Sequence, residues 1–294
     1  MNSQTAGAEL LLRYIGVKAG DEVITSAYTY TATASVICHL GAKPVLVDVE
    51  KDSVRFNLAA LKRAITEKTK VIIPVDIAGR TENYDEIFKI AEEKKDIFCP
   101  SSDVQRLFGR IIILADTAHS LGASYKGKRA GNIADFSSFS FHAVKNLTTA
   151  EGGAVTLNDK SPVSADEFYK TVKLFSLHGQ TKDAFTKKDA GKWEYDVIAP
   201  LYKCNMTDIS AALGLSQLKR YDKTLARRRE IVGKYDKAFL PRGIVTLNHF
   251  EDGRESSCHL YLTRIPNISP VERNEIIEEM GRLGVKRMPL QWPP

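Results

Sequence analysis

The sequence predicts an α/β fold, a mostly parallel sheet covered by helices on both faces. Three observations predict it. Apolar runs of strand length recur, such as KVIIPV at 70–75 and RIIILAD at 110–116, and buried parallel strands read this way. Segments of helical spacing separate these runs, in the alternation that builds a parallel sheet. The 294 residues can bury a large core, and 43% hydrophobic with 27% charged residues argues against disorder or a fibrous repeat.

Residues 5–16 place Ala, Leu and Ile at helical spacing, and GDEVIT turns into a strand. TATASVICHLGA reads as a helix ended by Gly41, PVLVDVE as a strand, and NLAALKRAI as a helix capped by Asn57. KVIIPVDIAG reads as a buried strand, YDEIFKIAEEKK as a helix, and RIIILAD, DFSSFSF and GAVTL as three further strands. DIFCPSSDVQRLFGR, residues 96–110, interrupts the rhythm and reads as an insertion or extended connection. Residues 206–240 form one long helical stretch, which PRGIV breaks. A strand-like HLYLTRI and a helix-like SPVERNEIIEEMGRLG follow. The expected division is a large domain at 1–236 and a partial small domain at 237–294.

The net charge of +6 comes with one dense basic run, KTLARRRE at 223–230, of helical pattern and without interleaved aromatics. That is a solvated helix face rather than a nucleic-acid surface. A modest positive balance also suits a small phosphorylated or nucleotide-linked ligand. Cys38, Cys99, Cys204 and Cys258 are scattered, as reduced thiols in a cytoplasmic protein would be. No apolar run approaches a membrane span, and the N-terminus lacks a signal-peptide pattern. Zinc spacings, HExxH, GxSxG and a Walker loop are all missing, so no metal site is expected.

The chemistry concentrates in two stretches. ILADTAHSLGA puts Asp116 at the end of an apolar strand, where ligands of open parallel sheets bind, with Ala118 on the same side and His119 next. Taken alone, such an aspartate also reads as a turn or helix cap. DFSSFSFHAVKNLTTAEGGAV sets Lys145 between a run of serines and aromatics and a pair of glycines, a setting that a surface lysine does not need.

Five segments in register, SQTAGAE, TSAYTYTATAS, ILADTAHSLGA, SFHAVKNLTTAEGGAV and YKCNMTDISAALGLSQL, resemble the DegT/DnrJ/EryC1/StrS family of pyridoxal-phosphate-dependent sugar aminotransferases. The likeness is to members that aminate keto groups of nucleotide-linked sugars, and it runs from residue 3 to about residue 240. It implies the aspartate-aminotransferase-like architecture, fold type I, and pyridoxal 5'-phosphate as cofactor.

Lys145 matches the family's Schiff-base lysine, and Asp116 the carboxylate that keeps the pyridine nitrogen protonated. Ala118 would lie against one ring face. His119 falls where the family has His or Gln near the phenolic oxygen. Tyr30 matches the stacking aromatic; a core role for it or for Tyr28 is the alternative. Gln4 and Thr5 open the helix whose N-terminus receives the phosphate, although an ordinary cap at Ser3 or Thr5 predicts the same residues.

Ser140 matches a serine that also reaches the phosphate. Asn205 matches an asparagine donated by the neighbouring subunit, which implies a homodimer with shared active sites. His178 and the segment KWEYD, 192–196, resemble stretches on the sugar side. Two departures stand out. Family members extend beyond both matched ends, so the chain reads as short at both, and Asp76 replaces a histidine often found after PV.

The expected function is transfer of an amino group from an amino acid, L-glutamate, to a nucleotide-linked keto sugar for polysaccharide or cell-envelope synthesis. The alternatives are a dehydratase or synthase on the same fold, or a non-catalytic scaffold subunit. The dehydratase relatives replace the lysine with histidine, so Lys145 favours transamination.

Overall fold

The computed structural model describes residues 1–181 and 195–285. The first helix, α1 (Gln4–Ile15), begins where Ser3 Oγ accepts the Ala6 N–H at 3.1 Å, and it ends at Gly16 in the left-handed conformation. Alternating elements follow: β1 (Glu22–Ser26), α2 (Thr31–His39), β2 (Lys43–Val47), α3 (Leu58–Ala64), β3 (Thr69–Ile73), α4 (Tyr84–Glu93), α5 (Asp103–Phe108) and β4 (Ile112–Asp116). A short hairpin, β5 (Ser124–Tyr125) and β6 (Lys128–Arg129), leads to β7 (Phe136–Ser140), β8 (Gly153–Leu157) and α6 (Ala165–Ser176). Next come α7 (Asp208–Leu218), α8 (Tyr221–Phe239), four two-residue strands, β9 (Val245–Thr246), β10 (Phe250–Glu251), β11 (Arg254–Glu255) and β12 (Thr263–Arg264), and α9 (Pro270–Arg282).

The main sheet has the order β2-β1-β3-β4-β7-β8. Its pairs are parallel except β7 with β8 at one edge. Because side chains alternate along a strand, Val71, Ile73, Ile112 and Leu114 pack on one face with Leu11, Leu12 and Ile15 of α1 and Val36 and Ile37 of α2. Ile72 and Ile113 pack on the other face with Leu61 of α3 and Tyr84, Ile87 and Ile90 of α4. Each such fully buried aliphatic side chain contributes about 1.5–3 kcal/mol, so the two cores fix the sheet that carries the site.

Four local expectations change. KVIIPVDIAG is a strand only as far as Ile73. Pro74 has no N–H for the ladder, and residues Ile77–Gly79 form a 3-10 turn with Ala78 at φ 62°. The 96–110 stretch contains α5, capped by Ser102 and ended by Gly109 in the left-handed region. Ser102 Oγ also donates to Ile15 O at 2.6 Å, so this segment plugs the end of α1. The long helical stretch divides at Lys219 and Arg220 into α7 and α8. Of HLYLTRI, only Thr263–Arg264 forms a strand, paired with β9, because this segment spends its backbone groups on the site instead.

Candidate active site

The site lies where β4 and β7 end and the chain between β7 and β8 turns back. Asp116, the last residue of β4, is buried at 5% exposure. Its Oδ2 accepts from Thr33 Oγ1 at 2.9 Å and its Oδ1 from the Ala118 N–H at 3.1 Å. Burial raises its pKa, opposed by those two hydrogen bonds and by the charge of Lys145. The Lys145 side chain is partly buried, and burial lowers its pKa against the pull of Asp116. The two groups therefore lie within electrostatic reach of each other at the strand end.

His119 stands beside them. Its Nδ1 accepts the Ala78 N–H at 3.3 Å, so in the neutral ring Nε2 carries the proton and is a donor. Burial, then the neighbouring His259 and Lys145, hold its pKa well below the ordinary histidine value. The His119 and His259 rings pack against each other, tilted by 34°, with centroids 4.3 Å apart. His259 is held in turn by Asn146, whose Nδ2 donates to Ser257 O at 2.8 Å and whose Oδ1 meets His259 Nδ1 at 2.8 Å. Burial, then the charges of Lys145 and Arg228, press the His259 pKa down to about 3.

The left-handed turn at Ala78 closes this knot. Its carbonyl accepts from His259 N at 3.0 Å, and Gly79 O accepts from Ser257 N at 3.0 Å. Ser257 Oγ donates to His119 O. A Cβ on Gly79 would stand 2.0 Å from Ser257 Oγ, so a glycine is required there.

The remaining sequence candidates are spread over several elements. Gln4 and Thr5 open α1, where helix geometry leaves the first amides without an intrahelical partner. Gln4 is buried, its carbonyl accepts from Ser138 Oγ at 2.9 Å, and Ser3 is the residue that caps. Ser140 ends β7 opposite Gly153, to which the Met1 backbone is hydrogen-bonded, so Ser140 and the start of α1 share one edge.

Tyr30, just before α2, is 79% exposed, whereas Tyr28 packs against Val54, Val75 and Ile77. Ala118 is partly buried directly beyond Asp116. Asn205 bonds Met206 O at 3.1 Å and Lys203 Nζ, and among the described residues none of its hydrogen bonds reaches Asp116, His119 or Lys145. His178 is exposed at φ 56° with its amide on Tyr202 O at 2.7 Å. Lys192, Trp193 and Glu194 of KWEYD lie outside the described residues.

Asp76, in place of the expected histidine, is fully buried. Its Oδ1 accepts from Tyr84 Oη at 2.9 Å and from the Glu82 N–H at 3.0 Å, and burial raises its pKa to about 6. Thr33, Asn146, Ser257 and His259 are missed by the sequence reading. Asn146 had a signal in its place directly after Lys145. The other three become visible only when α2 and the 256–259 segment meet the strand ends.

The sequence pattern of the DegT/DnrJ/EryC1/StrS aminotransferase family matches residues 1–294. The chain belongs to that family. SpsC of Bacillus subtilis, a spore coat polysaccharide biosynthesis protein, is 37% identical over 281 residues, covering 94% of this chain and 66% of SpsC. The UDP-4-amino-4-deoxy-L-arabinose–oxoglutarate aminotransferase of Shewanella sediminis is 36% identical over 288 residues, 97% of this chain and 69% of that protein. Spr1654 of Streptococcus pneumoniae, named as a candidate sugar aminotransferase and solved in a PMP form, superposes with a TM-score of 0.93 at 53% identity, covering 97% of this chain and 71% of that one.

This chain spans about two thirds of the length of these relatives. DegT/DnrJ/EryC1/StrS aminotransferases are pyridoxal-phosphate-dependent transaminases of fold type I, and the sheet described above has that architecture. The site fits the cofactor. Asp116 is a buried carboxylate bonded by neutral donors, which suits a cationic ring nitrogen, and an amine of lowered pKa lies within electrostatic reach.

Proposed function

We propose that the chain transfers the amino group of an amino acid, with L-glutamate as donor, to the keto group of a nucleotide-linked sugar. The Lys145–Asp116 pair carries this reading, because an amine of lowered pKa within electrostatic reach of a buried carboxylate suits transamination. The names of SpsC and of the S. sediminis enzyme support the sugar substrate.

Pyridoxal phosphate, when bound, supplies an aldehyde that takes up the amino group and a ring that draws off electrons. Asp116 would hold a proton on the ring nitrogen. Lys145 would anchor the aldehyde and, once displaced, take the donor's α-proton at Nζ and give it back nearby. The His119 Nε2–H would donate to the phenolic oxygen, and Ala118 would leave room for the ring. Tyr30, exposed at the start of α2, would cover the other face. The free amides of Gln4 and Thr5, with Ser140, would hold the phosphate.

Two copies would share the site. None of the residues of α7 is buried, and Ile209, Leu213, Leu215 and Leu218 are 79%, 49%, 64% and 57% exposed just after Asn205. A helix this apolar and this exposed needs a cover, and a second chain would bring Asn205 to its neighbour's phosphate. The division near residue 236, a role for His178 on the sugar side, and a place in polysaccharide synthesis belong to the same proposal.

The test is isotope transfer. With [15N]glutamate and a nucleotide-linked keto sugar, mass spectrometry should find the label in an amino sugar, and double-reciprocal plots should run parallel. Unlabelled sugar with any amino donor, or intersecting lines, would overturn the proposal.

A further inference from the structure

Away from the sheet edge, three arginines gather round one carboxylate. Arg55, before α3, donates Nη2 to Glu251 Oε2 at 2.9 Å and Nε to Thr81 O at 3.1 Å. Arg80, after the 3-10 turn, donates to Glu251 Oε1. Arg254, on β11, reaches Thr81 O at 3.3 Å and lies 3.7 Å from Glu251 Oε2. The Arg55, Arg80 and Arg254 side chains are only 14%, 8% and 19% exposed, so water screens them little.

The nearby acids do not balance them. Glu82 accepts from the Phe56 and Asn83 amides, and burial pushes its pKa up to about 8, which leaves it largely protonated at neutral pH. Glu255 is 58% exposed and pairs with Arg229 at 3.4 Å. The cluster keeps an excess of positive charge.

Between these groups lies a small cavity of about 10 Å³, lined by Arg55, Arg80, Thr81, His249, Glu251 and Arg254 among others, with the room one water-sized occupant needs. Three lining residues bury a polar atom without a partner among the described residues: Arg80 Nε, Thr81 Oγ1 and His249 Nε2. Buried polar groups are rarely left so. The Arg80 N–H and the Thr81 hydroxyl are donors in want of an acceptor. His249 adds none, because Ser256 Oγ, which donates to Gly79 O at 3.0 Å, accepts the His249 Nδ1–H at 2.8 Å and so leaves Nε2 an acceptor.

We propose that this cavity binds one monovalent, water-sized anion, chloride by its chemistry, held by Arg80 and Thr81 among the three arginines. A water molecule would satisfy the two donors and also donate to the His249 Nε2 lone pair, but it would leave the positive charge uncompensated. A tetrahedral oxyanion is too large for the space. The bound halide would tie together three stretches distant in sequence: the segment before α3, the turn after β3 and the β10–β11 hairpin. The same hairpin leads into the 256–259 segment that braces His119.

The experiment compares thermal unfolding of the chain in sodium chloride, bromide, gluconate and sulfate at equal ionic strength, with a crystal soaked in bromide. Chloride and bromide should raise Tm by several degrees along a saturating curve. Bromide should give an anomalous peak between Arg80 and Thr81. Thr81→Val, which keeps every charge, should weaken the halide dependence at least several-fold, and Arg254→Gln should do so independently. Equal Tm in chloride and gluconate with no bromide peak would overturn the proposal in favour of water. Equal or greater stabilisation by sulfate would overturn it in favour of an oxyanion in the adjoining groove.

Discussion

Thr33→Val removes one oxygen donor from the buried Asp116 carboxylate and keeps the side-chain shape. Thr33 is 2% exposed, Asp116 is 5% exposed, and their bond is 2.9 Å, so no water can replace it at full strength. A hydrogen bond to a charged group is worth about 1.5–3 kcal/mol and one to a neutral group roughly 1 kcal/mol, so losing the Thr33 bond raises the Asp116 pKa further by disfavouring the ionised form more than the protonated one.

The sign follows from linkage. Burial already raises the folded pKa of Asp116, so its ionised form costs stability above that value, and the cost fades as pH falls through it. The variant adds its full penalty only while Asp116 is ionised. Urea unfolding should therefore find Thr33→Val about 1.5–3 kcal/mol less stable at slightly alkaline pH. The difference should shrink toward the roughly 1 kcal/mol of a neutral hydrogen bond in acid. A penalty below about 0.5 kcal/mol, or one independent of pH, would refute the idea that Thr33 supports a buried charge.

Two further substitutions probe the backbone around the site. Ala78→Gly should stabilise the chain by up to about 1 kcal/mol in urea unfolding, since Ala78 holds φ 62° and a left-handed non-glycine residue is strained by more than the glycine's added chain entropy. No change in stability would mean that the turn carries no strain. Gly153→Ala would place a Cβ 2.5 Å from Ser3 C and 2.7 Å from Phe139 O, both backbone atoms that cannot move aside cheaply. It should push the start of α1 off β8, cost about 1–3 kcal/mol and weaken pyridoxal-phosphate binding several-fold by equilibrium dialysis. Unchanged binding would place the phosphate elsewhere than at the α1 N-terminus.

Much of this architecture is legible in the chain, for reasons that differ by element. The runs at 70–73 and 110–116 read directly as buried strands because each is covered on both sheet faces, and Asn57 reads as a cap because its side chain accepts the Ala60 N–H. Asp116 and Lys145 stand out because both follow local patterns at strand ends.

The α7–α8 break was hidden because residues on both sides of Lys219 are good helix formers, and only packing decides where the axis turns. The small helix at 103–108 is too short to show a period, and its reason for existing, Ser102 on Ile15 O, is an 87-residue contact. His259 looked like part of a strand because its neighbours are apolar. Its partners, Asn146 and Ala78, are more than a hundred residues away, and no spacing rule links them. Tyr28 and Tyr30 were indistinguishable in sequence, and the fold separates them by partly burying the first and exposing the second.

The central claim is that Lys145 anchors pyridoxal phosphate opposite Asp116 and that L-glutamate supplies the amino group. The most direct measurement is the visible absorption of the chain reconstituted with pyridoxal phosphate, before and after L-glutamate, beside Lys145→Ala. The account predicts a yellow band from the lysine-linked cofactor that bleaches with glutamate, and a variant whose spectrum lacks that band. A parent without the band, or a variant that binds and responds like the parent, would contradict it.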